Sequence, residues 1–193
     1  MDTFLTPAWN SFCPKVFFVG RGDYIHDETV KSKIINISNI LGLTHKGIHN
    51  IGTSHYGPPQ MIINVCKLSM YVSNYLLSNE FFFHEGKWPG WYRGVTTMYS
   101  NEISINHLID SLQLEPEKLD FDSTSNESVL DHPHIHCWHT DQPFSKFQFA
   151  SGEYNDTALE QLNINNVKDY CMYISLKALQ EIDLMKGLFF DLK

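Results

Sequence analysis

Three stretches of the chain carry apolar residues at the three- and four-residue spacing of a helix. The first follows Asp27, a residue type that caps helices, and predicts a helix over residues 27–42. The second predicts the longest helix, over about residues 59–79. Because Lys67 is its only charge after Met61, we expect this helix to be buried on most sides. The third predicts a helix over residues 104–112.

Short apolar or alternating runs predict strands elsewhere, over residues 15–19, 95–99, 144–150 and 170–174. Helices and strands do not alternate strictly, as they would in a doubly wound sheet. The pattern therefore predicts an α+β fold, with a long buried central helix and a small mixed or antiparallel sheet.

Residues 131–141 concentrate the reactive side chains of the chain. Four of its ten histidines fall within eight residues there, at positions 132, 134, 136 and 139. Ile135 and Trp138 favour an extended backbone, and Pro133 disfavours a helix. On a strand, His134 and His136 point to the same face, roughly 6.5–7 Å apart along the chain.

That spacing lets the imidazoles of His134 and His136 reach one metal ion, since each binds at about 2.0–2.1 Å. Zinc or iron would suit such a site. The third ligand would be His132 or a carboxylate from another element, with Glu153, Glu85 and Asp141 as candidates. The alternatives are that the histidines only line a polar groove or form a pH-sensitive contact, because the common zinc motifs are absent.

Cys137 stands beside His136, the order that a nucleophile and its base would have. Neighbouring residues on a strand point to opposite faces, so these two side chains would not meet. We expect Cys137 to be buried and inert.

Two glycine-containing segments precede the second helix. Gly20-Arg21-Gly22 has the first two glycines of a phosphate-binding loop but lacks the third glycine and the lysine, so we interpret it as a turn. Residues 44–57 hold His45, His49 and His55 and predict a loop, one that could fold back beside the central histidines.

Residues 86–94 combine tryptophans, a tyrosine, an arginine and glycines in one loop. These residue types dominate protein-binding surfaces, which makes the loop either an interaction surface or a cover for the core. The contact residues there would be Trp88, Trp91, Tyr92 and Arg93.

Residues 115–131 are rich in carboxylates and hold a single lysine. We expect a solvated, mobile acidic loop, or a surface that binds a basic partner. Its acidic contacts would be Glu117, Asp120 and Asp122.

The length of the chain and its net charge limit the classes of function that we expect. At 193 residues the chain is predicted to be a single domain from residue 1 to residue 193. Its net charge of −8 disfavours binding to nucleic acid or to anionic membranes. The sequence shows no secretory signal and no membrane span, and its four cysteines lack paired spacing, which together indicate a cytoplasmic protein.

Two functions are compatible with these features. A small, acidic, aromatic-rich chain without a complete catalytic motif resembles in profile the bacterial immunity proteins, which neutralise toxins such as basic nucleases. This hypothesis predicts a basic protein partner, no cofactor and no enzymatic activity. The alternative is a metal-dependent enzyme, a hydrolase or cupin-like oxygenase with zinc or iron on His134 and His136. His139 or Glu153 would then be its acid or base.

Overall fold

A computed structural model describes residues 2–13 and 15–190, apart from the side chains of residue 11 and residues 186–190. In chain order the strands are β1 (Thr3–Leu5), β2 (Phe17–Arg21), β3 (Ile51–Tyr56), β4 (Leu112–Leu114), β5 (Phe121–Asp122) and β6 (His134–His136). The helices are α1 (Glu28–Ile40), α2 (Pro59–Tyr75), α3 (Thr96–Leu108), α4 (Lys146–Ser151) and α5 (Val167–Phe190). This mixture of helices and short strands confirms the α+β prediction.

The chain divides into two compact units. A central unit is one continuous segment, Phe12–Asp120, and a flanking unit combines Met1–Ser11 with Phe121–Lys193. The predicted single domain over 1–193 stays a prediction, because this division describes local compactness and not independent folding.

The central unit contains a mixed sheet in the order β3-β2-β4. β2 pairs antiparallel with β3 and parallel with β4, as Phe18 lies opposite Tyr56 on one side and Gln113 on the other. Four of the five residues of β2 are buried, which agrees with the apolar run predicted there.

Two of the predicted helices of the central unit are present. Asp27 caps α1 by accepting a hydrogen bond from the Val30 N–H at 2.9 Å. α2 continues into a π-helical turn (Leu76–Glu80), but it is buried only along one face, and Met70 remains 74% exposed. The prediction that this helix is buried on most sides is therefore wrong, because an apolar composition does not by itself supply packing partners.

α3 differs most from its prediction. It begins at Thr96, so residues 95–99 are mainly helical, and it ends at Leu108. It is buried on several faces, and its buried residues include the polar side chains of Glu102 and Asn106. No apolar stripe marks a helix of this kind, which is why the sequence pattern placed its start too late.

The flanking unit holds the second mixed sheet, in the order β1-β6-β5. β1 pairs antiparallel with β6, and β5 pairs parallel with it. The strand predicted at the histidine-rich stretch is present as β6, with Ile135 fully buried between two half-buried histidines.

Both strands predicted after the histidine-rich stretch are wrong. Residues 144–150 mainly form α4, which Ser145 caps and which ends at Gly152 in a left-handed conformation, φ 84°. Residues 170–174 lie inside α5, whose buried side chains Cys171 and Met172 join the core of this unit. Among the described residues, no helix is long and apolar enough to span a membrane.

Candidate metal centre

A loop between α1 and β3, residues 44–50, is fastened to α3 by polar side chains of that helix; we call it the histidine loop. The Asn106 Oδ1 accepts hydrogen bonds from the Lys46 and Ile48 N–H groups at 3.0 and 3.2 Å. Its Nδ2 donates to the Ile48 carbonyl oxygen at 2.8 Å. The His107 ring accepts one further loop N–H at 3.1 Å. These contacts fix the loop against the last turn of α3.

Glu102 lies one helical turn before Asn106, and its side chain is fully buried. Its Oε2 accepts hydrogen bonds from the Tyr24 hydroxyl at 2.5 Å and from the Asn50 N–H at 2.8 Å. Its Oε1 lies 2.7 Å from the His49 Nδ1. A buried carboxylate is costly unless hydrogen bonds satisfy it, and this one is satisfied from both sides.

His45 completes the cluster. Its side chain is 1% exposed, and its Nε2 lies 3.4 Å from the Glu102 Oε1 without a hydrogen-bond partner. The rings of His45 and His49 stack with centroids 4.9 Å apart. One donor atom from each of His45, His49 and Glu102 lies within 4.8 Å of the others, and no other such group of three is found among the described residues.

Two imidazoles and a carboxylate form a donor set that suits zinc in hydrolytic enzymes and ferrous iron in oxygenases. Three protein ligands leave coordination positions for water or substrate. The His49 side chain is 17% exposed whereas those of His45 and Glu102 are at most 1% exposed, so the cluster meets solvent on the His49 side.

One hydrogen bond opposes metal binding as the loop stands. The Gly47 N–H donates to the His45 Nδ1 at 3.1 Å, which places the ring proton of neutral His45 on Nε2. A metal at Nε2 requires that proton on Nδ1, where it would face the Gly47 N–H. Gly47 has φ 80° and open space around it, so its peptide has room to turn when a metal binds.

The same residues have a second chemical capability. A carboxylate that accepts from one ring nitrogen of a histidine orients the ring and leaves the other nitrogen as a general base. The Glu102–His49 pair has this arrangement.

Asn50, next to the cluster, holds a left-handed backbone conformation, φ 56°. Its side-chain oxygen accepts hydrogen bonds from the Tyr24 and Ile25 N–H groups at 3.1 and 2.9 Å. Non-glycine residues in this conformation are uncommon and concentrate at functional sites. Asn50 therefore ties the segment that carries Tyr24 to the segment that carries His49.

The structure does not bring His134, His136 and Glu153 into a three-ligand group. His134 and His136 are half-buried on β6, and the His136 ring lies 5.5 Å from that of Trp138. Glu153 is exposed and accepts a hydrogen bond from the Ser151 hydroxyl at 2.9 Å. Same-face spacing on a strand supplied two imidazoles, but among the described residues no third ligand joins them in such a group.

Another histidine of this stretch is packed into the protein interior. His132 is buried, stacks on Phe121 and lies 3.0 Å from a Glu127 carboxylate oxygen. Cys137 is buried, as predicted, and burial raises the pKa of its thiol to about 11.

The aromatic-rich loop predicted over residues 86–94 is partly packed into the hydrophobic core. Trp91 stacks between Phe81 and Tyr99, with ring centroids 5.1 and 4.4 Å away. Trp88 is 43% exposed, and its ring lies 5.3 Å from that of His26 in a T-shaped arrangement. Tyr92 is half-buried and Arg93 is exposed. Of the four predicted contact residues, Trp91 is therefore better explained by packing.

The carboxylates predicted to form an acidic surface also divide into exposed and buried residues. Glu117 and Asp122 are exposed, and Asp122 accepts two hydrogen bonds from Thr124. Asp120 is 4% exposed and accepts a hydrogen bond from the Ser54 hydroxyl, so it is not available to a partner. The mobility predicted for residues 115–131 stays a prediction, but the segment is not uniformly solvated, since Leu119 and Val129 are buried as well.

Sequence reasoning noted His45 and His49 but missed Glu102. The four-residue spacing of the two histidines is visible in the sequence, but no local pattern links them to Glu102. Glu102 was placed before a helix that in fact begins at Thr96. The available signal was a carboxylate one turn from Tyr99 and Asn106 in a segment otherwise free of charge.

Comparisons with known proteins give a family but no function. Neither the curated proteins nor the solved structures contain a match to the chain. A family model described as "Domain of unknown function (DUF7164)" matches residues 1–186. All the residues of the candidate metal centre lie within that range, and the chain belongs to the DUF7164 family.

Proposed function

We propose that the chain is a metal-dependent enzyme whose metal is bound by His45, His49 and Glu102. The observation that carries this proposal is the cluster of three donor atoms within 4.8 Å, one of them a buried imidazole nitrogen without a hydrogen-bond partner. Buried polar atoms are nearly always satisfied, and a bound ion is one way in which this nitrogen would be satisfied.

The metal decides the class of reaction. Zinc would activate a bound water for hydrolysis, whereas ferrous iron bound by two histidines and a carboxylate would support oxygen chemistry. A hydrolase and an oxygenase are the corresponding activities. In either case the open coordination positions would face the His49 side of the cluster.

The first measurement is the metal content of the purified protein, with the melting temperature before and after metal is added. We expect stoichiometric zinc or iron and a melting temperature that rises on addition, since a ligand at 100 times its Kd stabilises by about 2.7 kcal/mol. The variant His45→Ala/His49→Ala should lose both the metal and the shift. His134→Ala/His136→Ala, which also removes two neighbouring histidines, should keep them.

Absence of metal from the wild type, together with an unchanged melting temperature in zinc and in ferrous iron, would contradict the proposal. Equal loss of metal from both double variants would also contradict it. Melting curves in a chelator show whether each variant still folds.

A second candidate function is the sequestration of a basic protein, such as a toxin domain. The uneven distribution of charge favours it: residues 12–120 hold nine Lys and Arg against ten Asp and Glu, while the remainder holds five against twelve. The flanking unit thus carries a net charge of −7 out of −8. An acidic surface accelerates association with a basic partner.

A cytoplasmic location belongs to the same set of proposals. Cys13, Cys66, Cys137 and Cys171 are all free thiols. Free cysteines are usual in a reducing compartment, and measuring the location of the tagged chain in cells tests this.

A further inference from the structure

Tyr24 touches the candidate metal centre without being one of its proposed ligands. Its side chain is buried, 1% exposed, and its hydroxyl lies 2.5 Å from the Glu102 Oε2. The hydroxyl donates this hydrogen bond, and the carboxylate oxygen accepts it.

The two oxygens of Glu102 have different surroundings. Oε2 accepts from both Tyr24 and the Asn50 N–H. Oε1 faces the two imidazoles, 3.4 Å from His45 and 2.7 Å from His49. Only Oε1 is directed toward the place where a metal would lie.

We propose that Tyr24 is a positioning residue that makes Glu102 a one-oxygen ligand, by holding Oε2 away from the metal. This inference rests on the proposed metal centre and deepens it. A carboxylate that binds through one oxygen occupies one coordination position, whereas a two-oxygen carboxylate takes up a second. The Tyr24 hydrogen bond thereby keeps open a position for water or substrate, in the way that outer hydrogen bonds orient metal ligands elsewhere.

Asn50 supports this arrangement twice. Its backbone N–H is the second donor to Oε2, and its side chain binds the Tyr24 and Ile25 N–H groups. The position of the Tyr24 ring therefore depends on Asn50.

The test uses Co²⁺ as a probe, because its visible absorption is strong with four ligands and weak with six. Tyr24→Phe removes only the hydroxyl. We expect Co²⁺ to bind 10–100-fold more weakly, the usual effect of losing such an outer contact, and its absorption to fall as Oε2 becomes able to bind.

Tyr99→Phe is the matched control. Tyr99 is also fully buried and its ring lies 5.9 Å from that of Tyr24, but its hydroxyl donates to the Gly90 carbonyl oxygen and not to Glu102. Its affinity for Co²⁺ and its spectrum should match those of the wild type.

Asn50→Gly is a second variant that tolerates the left-handed backbone and keeps the N–H donor to Glu102. It removes the side-chain clamp on Tyr24, and we expect a smaller change in the same direction. This variant keeps the inference testable if Tyr24→Phe fails to fold.

The outcomes separate the two proposals. Wild-type binding with an unchanged affinity and spectrum in Tyr24→Phe would overturn the role of Tyr24 and leave the metal centre standing. Equal weakening in Tyr24→Phe and Tyr99→Phe would assign the effect to general packing and also overturn it. Failure of the wild type to bind Co²⁺ would remove the metal centre itself.

Discussion

Buried ionisable side chains in the central unit differ in how many hydrogen-bond partners they have. Glu102 has hydrogen-bond donors on both oxygens. His55, on β3, has a buried Nε2 without a hydrogen-bond partner, and its ring stacks on Phe17 with centroids 6.2 Å apart. Burial lowers the pKa of His55, and the Asp120 carboxylate offsets this only in part.

The lowered pKa of His55 makes the stability of the protein depend on pH. Unfolded His55 takes up a proton at about pH 6.5, whereas the folded protein resists that proton until a lower pH. The stabilisation is therefore complete above about pH 6.5 and is lost as the pH falls toward the folded pKa. One proton limits the slope to about 1.4 kcal/mol per pH unit.

His55→Gln should reduce the loss of melting temperature between about pH 7.5 and 5.5 relative to the wild type. His84→Gln, at an exposed position, is the control and should leave the pH profile unchanged. Parallel profiles for wild type and His55→Gln would show that His55 titrates normally in the folded protein.

At the residue scale, the sequence shows which side chains are ionisable, but it does not show which of them are buried. Asp120 and Glu102 count as surface charges in a composition, yet both are buried. Each is held by donors from distant parts of the chain, Ser54 for Asp120 and Tyr24 for Glu102. No local pattern announces such partners, because they depend on the tertiary fold.

At the scale of elements, a pair of glycines lets β2 and β3 enclose the Asp120 carboxylate. A Cβ added at Gly20 or Gly52 would lie 2.0 or 2.2 Å from the Asp120 Oδ2. At Gly52 it would also lie 2.5 Å from the Gly20 carbonyl carbon, which is backbone and cannot rotate away. Gly20, interpreted from sequence as part of a turn, is therefore a strand residue required by close packing.

Gly52→Ala should destabilise the protein by about 3 kcal/mol or more, since a core clash of this kind forces the two strands apart. Gly90→Ala is the control, because its added Cβ would lie 3.3 Å from a single loop oxygen. Chemical denaturation of both variants measures the difference. A change below about 1 kcal/mol at Gly52 would show that the strands accommodate a methyl group.

Elements were predicted correctly where a local signal agreed with the tertiary structure. The helix after Asp27 begins with a side-chain cap, and β6 alternates buried and half-buried residues. The runs at residues 144–150 and 170–174 are β-like in composition but helical in the fold. Packing of Phe149 and Cys171 into the same core overrode their strand propensity.

At the scale of the whole molecule, the second candidate function predicts that binding of a basic partner depends on where the negative charges lie. A fluorescent lysine homopolymer should bind at low ionic strength and dissociate as salt is added. Neutralising three exposed carboxylates of the flanking unit should weaken this binding several-fold. The variant is Asp131→Asn/Asp156→Asn/Glu160→Gln.

The control neutralises three exposed carboxylates of the central unit, Asp23→Asn/Glu28→Gln/Glu85→Gln, and removes the same charge. A smaller effect is expected there, because the central unit has a net charge of only −1. Equal effects of the two variants would mean that total charge and not its location governs the binding.

The two units also differ in how long a strand waits for its pairing partner during protein synthesis. Phe4 of β1 pairs with Ile135 of β6, and the whole central unit separates the two residues in the sequence. At about 5–20 residues per second, the ribosome needs roughly 7–26 s to make the partner of β1. Every ligand of the proposed metal centre lies in the continuous segment made in between. The nascent chain therefore carries a complete set of metal ligands before β1 has a strand to pair with.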